Sequence, residues 1–210
     1  MISTRRGPAP ELLERYGVEI TQDYIAKKQA DRQHDFRWPQ RESRSVYAET
    51  RTALHSMTVG HCAYCDGFPV DATGEEQIDH FKPKSQSEFY HLVCDWQNLF
   101  FVCYGCNKAK RADWEEALLR PDADDFSFVR YFLYRSDTGQ LEPNPAASAD
   151  EQHRTSRTIE ILKLNRPGLC IDRMRTASHV SGCPQEELSL WGYRYLVPLC
   201  RDDASENQLV

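Results

Sequence analysis

Four of the eight cysteines stand in two matched pairs, Cys62-Ala-Tyr-Cys65 and Cys103-Tyr-Gly-Cys106. Each Cys-x-x-Cys turn can present two thiolates to one tetrahedral ion, so Cys62, Cys65, Cys103 and Cys106 together close a structural Zn²⁺ shell with no position left for a substrate. The 38 positions from Cys65 to Cys103 are longer than the usual zinc-ribbon gap, and they hold the stretch IDHFKPKS, residues 78–85. There an acid, Asp79, adjoins His80, and Lys82 and Lys84 follow. The zinc would therefore tie together the two ends of a segment rich in reactive side chains. A dithiol redox pair is the rival reading, and two matched knuckles weigh against it. Cys94, Cys170, Cys183 and Cys200 lack comparable partners and receive no function; His179 and Cys183, four apart, read as ordinary buried groups rather than ligands.

The elements that must position this segment follow from periodicity. Apolar residues at Leu12, Leu13, Tyr16, Ile20, Tyr24 and Ile25 predict a helix between Pro10 and Gln33, interrupted by Phe36, Trp38 and Pro39. A second helix is expected from about Arg44 to Met57, delivering the chain to His61 and Cys62. Between the knuckles the sequence predicts short elements: a loop around Asp71 to Glu76, a brief strand near Gln77 to Phe81, and the apolar run Leu99 to Val102. Asn107 to Leu119 reads as a helix stopped before Pro121. Phe126, Phe128, Phe132 and Tyr134, at even spacing before Asp137-Thr138-Gly139, predict a hairpin. Ser148 to Leu164 is the strongest helix, with Ser148 or Asp150 as its cap, and the tail after Arg166 is expected to be helical. SENQLV at the end reads as frayed.

The chain has 210 residues and a net charge of −6. That total alone argues against a nucleic-acid partner, but its distribution answers the objection in part. Residues 78–111 and 1–51 each carry two more basic than acidic side chains, whereas residues 112–162 carry six more acidic ones. The acidic stretch reads as a solvated face before it reads as a surface for a partner. No apolar signal core opens the sequence and no run approaches the ~18 apolar residues of a membrane span, so a soluble, cytoplasmic protein without a membrane partner is expected. The expected fold class is α+β, a small core inside a mainly helical body. Its expected division is a helical region over 1–58, a central core over 59–120, and a mainly helical region over 121–210 packed with that core.

His80, Asn98 and Asn107 stand in order, and Asn107 directly follows the last knuckle cysteine. The combination CAYC, IDHFKPKS, DWQNL and CYGCNKAK resembles an HNH endonuclease of the ββα-metal type, with Asn107 where the family name has histidine, a known variant of the pattern. The nine-position step from Asn98 to Asn107 agrees with the family spacing, while the 18 positions from His80 to Asn98 exceed its commonest version and imply an enlarged loop. The resemblance implies hydrolysis of phosphodiesters. His80 would take the proton of water, since imidazole titrates near working pH. Asp79 and the Asn107 side-chain oxygen are hard ligands suited to Mg²⁺ or Mn²⁺, and Asn98 would hold the loop or His80 in place. Because neighbouring strand residues point to opposite faces, a bulged or twisted strand would be needed to bring Asp79 and His80 near one phosphate. Lys82, Lys84, Lys108, Lys110 and Arg111 become candidates to hold DNA phosphates, with a solvated basic surface as the alternative for each. His55, His61 and His91 are left outside the catalytic set.

A narrower resemblance extends over CAYCD, IDHFKPKS, DWQNLFFVCYGCNKAK, LLRPDADDFSFVRYF and the TIEILKLN stretch, roughly Cys62 to Arg173. It is similar to the PtuB-like HNH proteins of bacterial anti-phage systems, found with Septu-type and some retron loci. This implies a nuclease acting on phage or plasmid DNA together with a PtuA-like ATPase encoded nearby; the chain itself has no Gly-x-x-x-x-Gly-Lys-Ser/Thr loop. The alternative is a zinc-stabilised nucleic-acid or protein binding module without catalytic activity.

Overall fold

The computed structural model describes residues 1–70, 76–180, 187 and 190–201. The expected Asp71 to Glu76 loop, apart from Glu76, and Cys183 and SENQLV lie outside these residues. Helix α1 runs Glu11–Ala30 and α2 runs Val46–Thr58. Between them the chain makes a small hairpin, β1 (Gln40–Arg41) with β2 (Arg44–Ser45). Ser45 caps α2 by accepting from Ala48 N, which satisfies one of the amides that a helix start leaves without a partner. Both helices bury the apolar stripes that predict them.

The centre of the molecule is β3 (Glu76–His80) paired antiparallel with β4 (Leu99–Cys103), followed at once by α3 (Tyr104–Lys110). In register, Ile78 faces Phe101, Asp79 faces Phe100 and His80 faces Leu99. Every residue of β4 is buried, which a five-residue apolar strand tolerates only when both of its faces are covered. One neighbour is α2, which packs on β4, and α3 packs on β3 and β4. The order strand, strand, helix inside a mainly helical body agrees with the expected fold class.

Two expectations are corrected. The helix read over Asn107 to Leu119 begins earlier and stops sooner, because the second knuckle is itself its first turn: Cys103 Sγ accepts from Cys106 N, and Arg111 leaves the helix at φ 52°. The hairpin predicted before Asp137-Thr138-Gly139 is present, but it begins later than the even spacing of Phe126 to Tyr134 suggests. Phe128 to Tyr131 form one helical turn, α4, in which Phe128 stacks on Phe132, and only Phe132–Tyr134 is strand β5, paired with β6 (Leu141–Pro143). The turn between β5 and β6 requires Gly139, where φ is 69° and a Cβ would lie 2.2 Å from the Cys170 carbonyl oxygen.

Helix α5 (Ala149–Ile161) starts with a full capping box between Ser148 and Glu151. It is followed by α6 (Pro167–Val180) and α7 (Leu196–Arg201). Asn165, between α5 and α6, uses its side-chain amide as a strand would, accepting from Leu141 N and donating to Leu141 O at 2.8 Å each. Arg6 reaches into the core from the other end. Its guanidinium pairs with Asp122 at 2.8 Å, donates to the carbonyls of Trp96 and Leu99, and lies over the Phe100 ring. No helix among the described residues is long and apolar enough to cross a membrane.

Candidate active site and metal centre

The four knuckle cysteines converge. Their Sγ atoms all lie within 4.8 Å of one another and all four residues are buried. Ala63 N donates to Phe101 O, which seats the first knuckle on β4, and Gly67 N points at Cys65 Sγ at 3.4 Å. Cys65 and Cys103 sulfurs approach to 3.9 Å, too far for a disulfide and suited to two ligands of one ion. Backbone amides aimed at sulfur and four soft donors in one buried cluster fit a tetrahedral zinc ion.

Two arginines from the C-terminal region brace the two knuckles. Asp66, next to Cys65 and fully buried, receives Arg194 in a forked pair, with Nη2 to Oδ1 at 2.6 Å and the Arg194 backbone amide on Oδ2. Arg166 Nη2 lies 3.4 Å from Cys106 Sγ and 3.9 Å from Cys103 Sγ. Gly105 makes room for it, since a Cβ there would stand 3.0 Å from that same nitrogen. His61 is buried with its two ring nitrogens against the Val59 and Trp191 carbonyls, a structural placement.

His80 is 6% exposed. Its Nε2 is 2.9 Å from the Val93 carbonyl oxygen. A carbonyl only accepts, so Nε2 carries the hydrogen and Nδ1 keeps the lone pair. Val93 belongs to the enlarged loop between His80 and Asn98, whose 3-10 turn Ser87–Leu92 packs on α1. The Trp38 ring stacks near the imidazole, 6.3 Å between centroids, and the Phe36 edge closes it from another side at 6.0 Å. Burial first, then Lys84, pulls the imidazole from 6.5 down to about 3, so the ring is neutral at pH 7 and the expectation that it titrates near working pH is corrected.

Asp79 is also buried, but its partners differ. Its Oδ2 accepts from the Tyr64 hydroxyl at 2.6 Å and pairs with Lys110 Nζ at 3.0 Å. Burial pushes the carboxyl up, and Lys110 and Tyr64 oppose that shift. The bulge expected to bring Asp79 and His80 together is absent: β3 stays in regular register through both residues, and the two side chains take separate sets of partners. Lys110 links them, pairing with Asp79 Oδ2 at 3.0 Å and donating to the His80 carbonyl oxygen at 2.8 Å.

Asn107, on α3, donates from Nδ2 to Gln77 Oε1 at 3.0 Å, which leaves its Oδ1 as an acceptor. Gln77 lies two residues before Asp79 and so on the same face of β3. The α3 face that carries Asn107 and Lys110 thus runs along the β3 face that carries Gln77 and Asp79. Asn98 pins the enlarged loop at both ends: Oδ1 accepts from Lys82 N, while Nδ2 donates to Lys82 O and Leu92 O.

The candidate phosphate ligands separate. Lys108 and Arg111 are exposed, and Lys84 is half-buried on a turn held by the Tyr24 hydroxyl on its carbonyl. Lys82 lies over the Trp114 and Phe89 rings at 4.8 and 5.5 Å. Lys110 is corrected: it is fully buried and spends its ammonium on Asp79 Oδ2 and on the His80 carbonyl at 2.8 Å, so it is no surface cation. Sequence reasoning missed Tyr64, Arg166, Trp38 and Arg6. Only Tyr64 carried a local signal, its place inside a knuckle.

Residues 62–113 match the family model described as HNH endonuclease. The chain is 29% identical over 170 residues to the candidate HNH endonuclease of retron Ec83 from Escherichia coli, covering 60% of this chain and 63% of that protein. It is 27% identical over 185 residues to the corresponding protein of retron Vc95 from Vibrio cholerae, covering 83% and 82%. It is 24% identical over 139 residues to Septu protein PtuB from Bacillus thuringiensis, covering 64% of this chain and 48% of that one.

Proposed function

We propose, from the HNH endonuclease domain that residues 62–113 carry, that this chain is a metal-dependent endonuclease that hydrolyses DNA phosphodiester bonds. The single observation that supports it most is the state of His80: a neutral imidazole whose Nε2–H is tied to Val93 O, leaving Nδ1 to accept a proton from water. Asp79 and Asn107 would hold Mg²⁺ or Mn²⁺ through the carboxylate and the side-chain oxygen, and the four cysteines would hold Zn²⁺. The divalent ion would supply charge stabilisation at the scissile phosphate and help the 3′ oxygen depart. Asn98 fixes the loop whose Val93 carbonyl orients the base. Lys84, Lys108 and Arg111 would hold the phosphates beside the cut. Trp38 and Phe36 cover two sides of the imidazole.

The similarity to retron-associated proteins and to Septu protein PtuB supports a role in anti-phage defence, in the cytoplasm, acting on phage or plasmid DNA with a PtuA-like ATPase encoded nearby. The division into regions 1–58, 59–120 and 121–210 belongs to the same reading. Supercoiled plasmid incubated with the purified protein, alone and with the neighbouring ATPase, should be nicked or linearised in Mg²⁺ or Mn²⁺ and left intact in EDTA. Intact plasmid under every one of these conditions would favour the binding-module alternative.

A further inference from the structure

Tyr64 sits between the two cysteines of the first knuckle, yet its hydroxyl serves the other half of the site. Its ring is fully buried between the cluster of sulfurs and β4, and it lies 5.9 Å from the Phe100 ring, the cross-strand partner of Asp79. From there the hydroxyl donates to Asp79 Oδ2 at 2.6 Å, and the Lys110 ammonium pairs with the same oxygen from α3 at 3.0 Å. The hydroxyl and the ammonium thus converge on one carboxylate oxygen. Among the described residues Oδ1 receives no hydrogen bond.

A carboxylate swinging about its Cβ–Cγ bond presents two equivalent oxygens, and fixing one of them decides where the other points. We infer that Tyr64 is a positioning residue: it acts through Asp79, locking Oδ2 so that Oδ1 alone is offered to a divalent ion, and it transmits the rigidity of the zinc knuckle to that ligand. The tyrosine can do this because the knuckle turn is short, its backbone is hydrogen-bonded to β4 through Ala63, and its side chain is fully buried. The two metal centres are therefore mechanically joined by one side chain. Zinc holds the turn, the turn holds the phenol, and the phenol holds the carboxylate.

Lys110 alone does not supply the same constraint, because an ammonium is a point charge that follows the carboxylate as it turns. A phenol on a stiff ring has one hydrogen on one trajectory. Removing that hydrogen should loosen the ligand without emptying the zinc shell. Loss of such an outer partner commonly costs on the order of tenfold or more in metal affinity.

This inference rests on the proposed ligand role of Asp79, and the test separates the two. Mn²⁺ affinity is measured by the loss of the free-ion electron paramagnetic resonance signal, on full-length protein loaded with zinc, for wild type, Tyr64→Phe, Asp79→Asn and the double variant. The expected result is unchanged zinc content in all four, Mn²⁺ binding about tenfold weaker in Tyr64→Phe, and no further effect of Tyr64→Phe once Asp79 is asparagine. Equal Mn²⁺ affinity in wild type and Tyr64→Phe, or an equal loss on both backgrounds, would overturn the positioning role. Wild-type Mn²⁺ affinity in Asp79→Asn would instead overturn the ligand role beneath it. Loss of zinc from Tyr64→Phe would make its part structural and overturn the inference.

Discussion

The Arg166 guanidinium lies against the second knuckle, Nη2 at 3.4 Å from Cys106 Sγ, through a gap that exists because residue 105 has no side chain. A cation that donates to a thiolate lowers the energy of the sulfur lone pair and so its appetite for electrophiles. It also joins the α5–α6 junction to a cluster of sulfurs 60 residues earlier in the chain.

Arg166→Met is therefore expected to release zinc to iodoacetamide faster than wild type, by a factor on the order of ten, the worth of one charge-assisted hydrogen bond. Gly105→Ala should do the same while leaving the arginine in the chain, because the new Cβ would displace the guanidinium. Zinc release followed by a chromogenic chelator checks both; wild-type rates in both would show that the contact does not protect the sulfurs.

The basic residues divide into two classes that salt dependence can tell apart. Alanine at Lys108 or Arg111 should each reduce the slope of log affinity for DNA against log salt by about 1, measured in Ca²⁺ to prevent cleavage. Lys110→Met should leave that slope unchanged. It should instead lower the unfolding free energy by about 3 kcal/mol in urea, since it strands a buried carboxylate without its cation. A changed slope with unchanged stability would return Lys110 to the surface set.

What the sequence made legible and what it hid divide along physical lines. Zinc ligands are legible because the ion fixes both residue type and spacing, so Cys62, Cys65, Cys103 and Cys106 are found together where the knuckles predict them. Helices α1, α2 and α5 are legible because each buries one stripe and, for α5, starts at the serine cap that its sequence shows. Lys110 was misread because a lysine beside exposed cations looks the same whether its stem turns outward or inward; only the packing of α3 on β3 decides. Arg6 and Arg166 were invisible for the same reason, as their partners lie far away in sequence at Asp122 and Cys106. Trp38 looked like a helix interruption, and its relation to His80 exists only once α1 and the enlarged loop have packed. The even spacing of the phenylalanines was a coincidence of a helical turn meeting a strand.

Acid should destabilise the protein through His80. The folded imidazole is held down to about 3 by burial and then Lys84, against 6.5 when unfolded. Below pH 6.5 the unfolded chain therefore binds a proton that the folded one refuses, so this stability is complete above 6.5 and is lost as the pH falls from 6.5 towards 3. Between pH 6.5 and 5 the loss is about 2 kcal/mol. Urea unfolding at pH 7 and pH 5 should show a larger drop for wild type than for His80→Gln; parallel drops would mean that His80 is protonated in the folded state.

The central claim is that the Nδ1 lone pair of His80 removes a proton during phosphodiester hydrolysis. Replacing the side chain while leaving its pocket beneath Trp38 and Phe36 isolates that lone pair. In Mg²⁺ or Mn²⁺, His80→Gly is predicted to leave plasmid DNA uncut, and added imidazole is predicted to restore cleavage in proportion to its concentration. Cleavage by His80→Gly at the wild-type rate without imidazole would contradict the account.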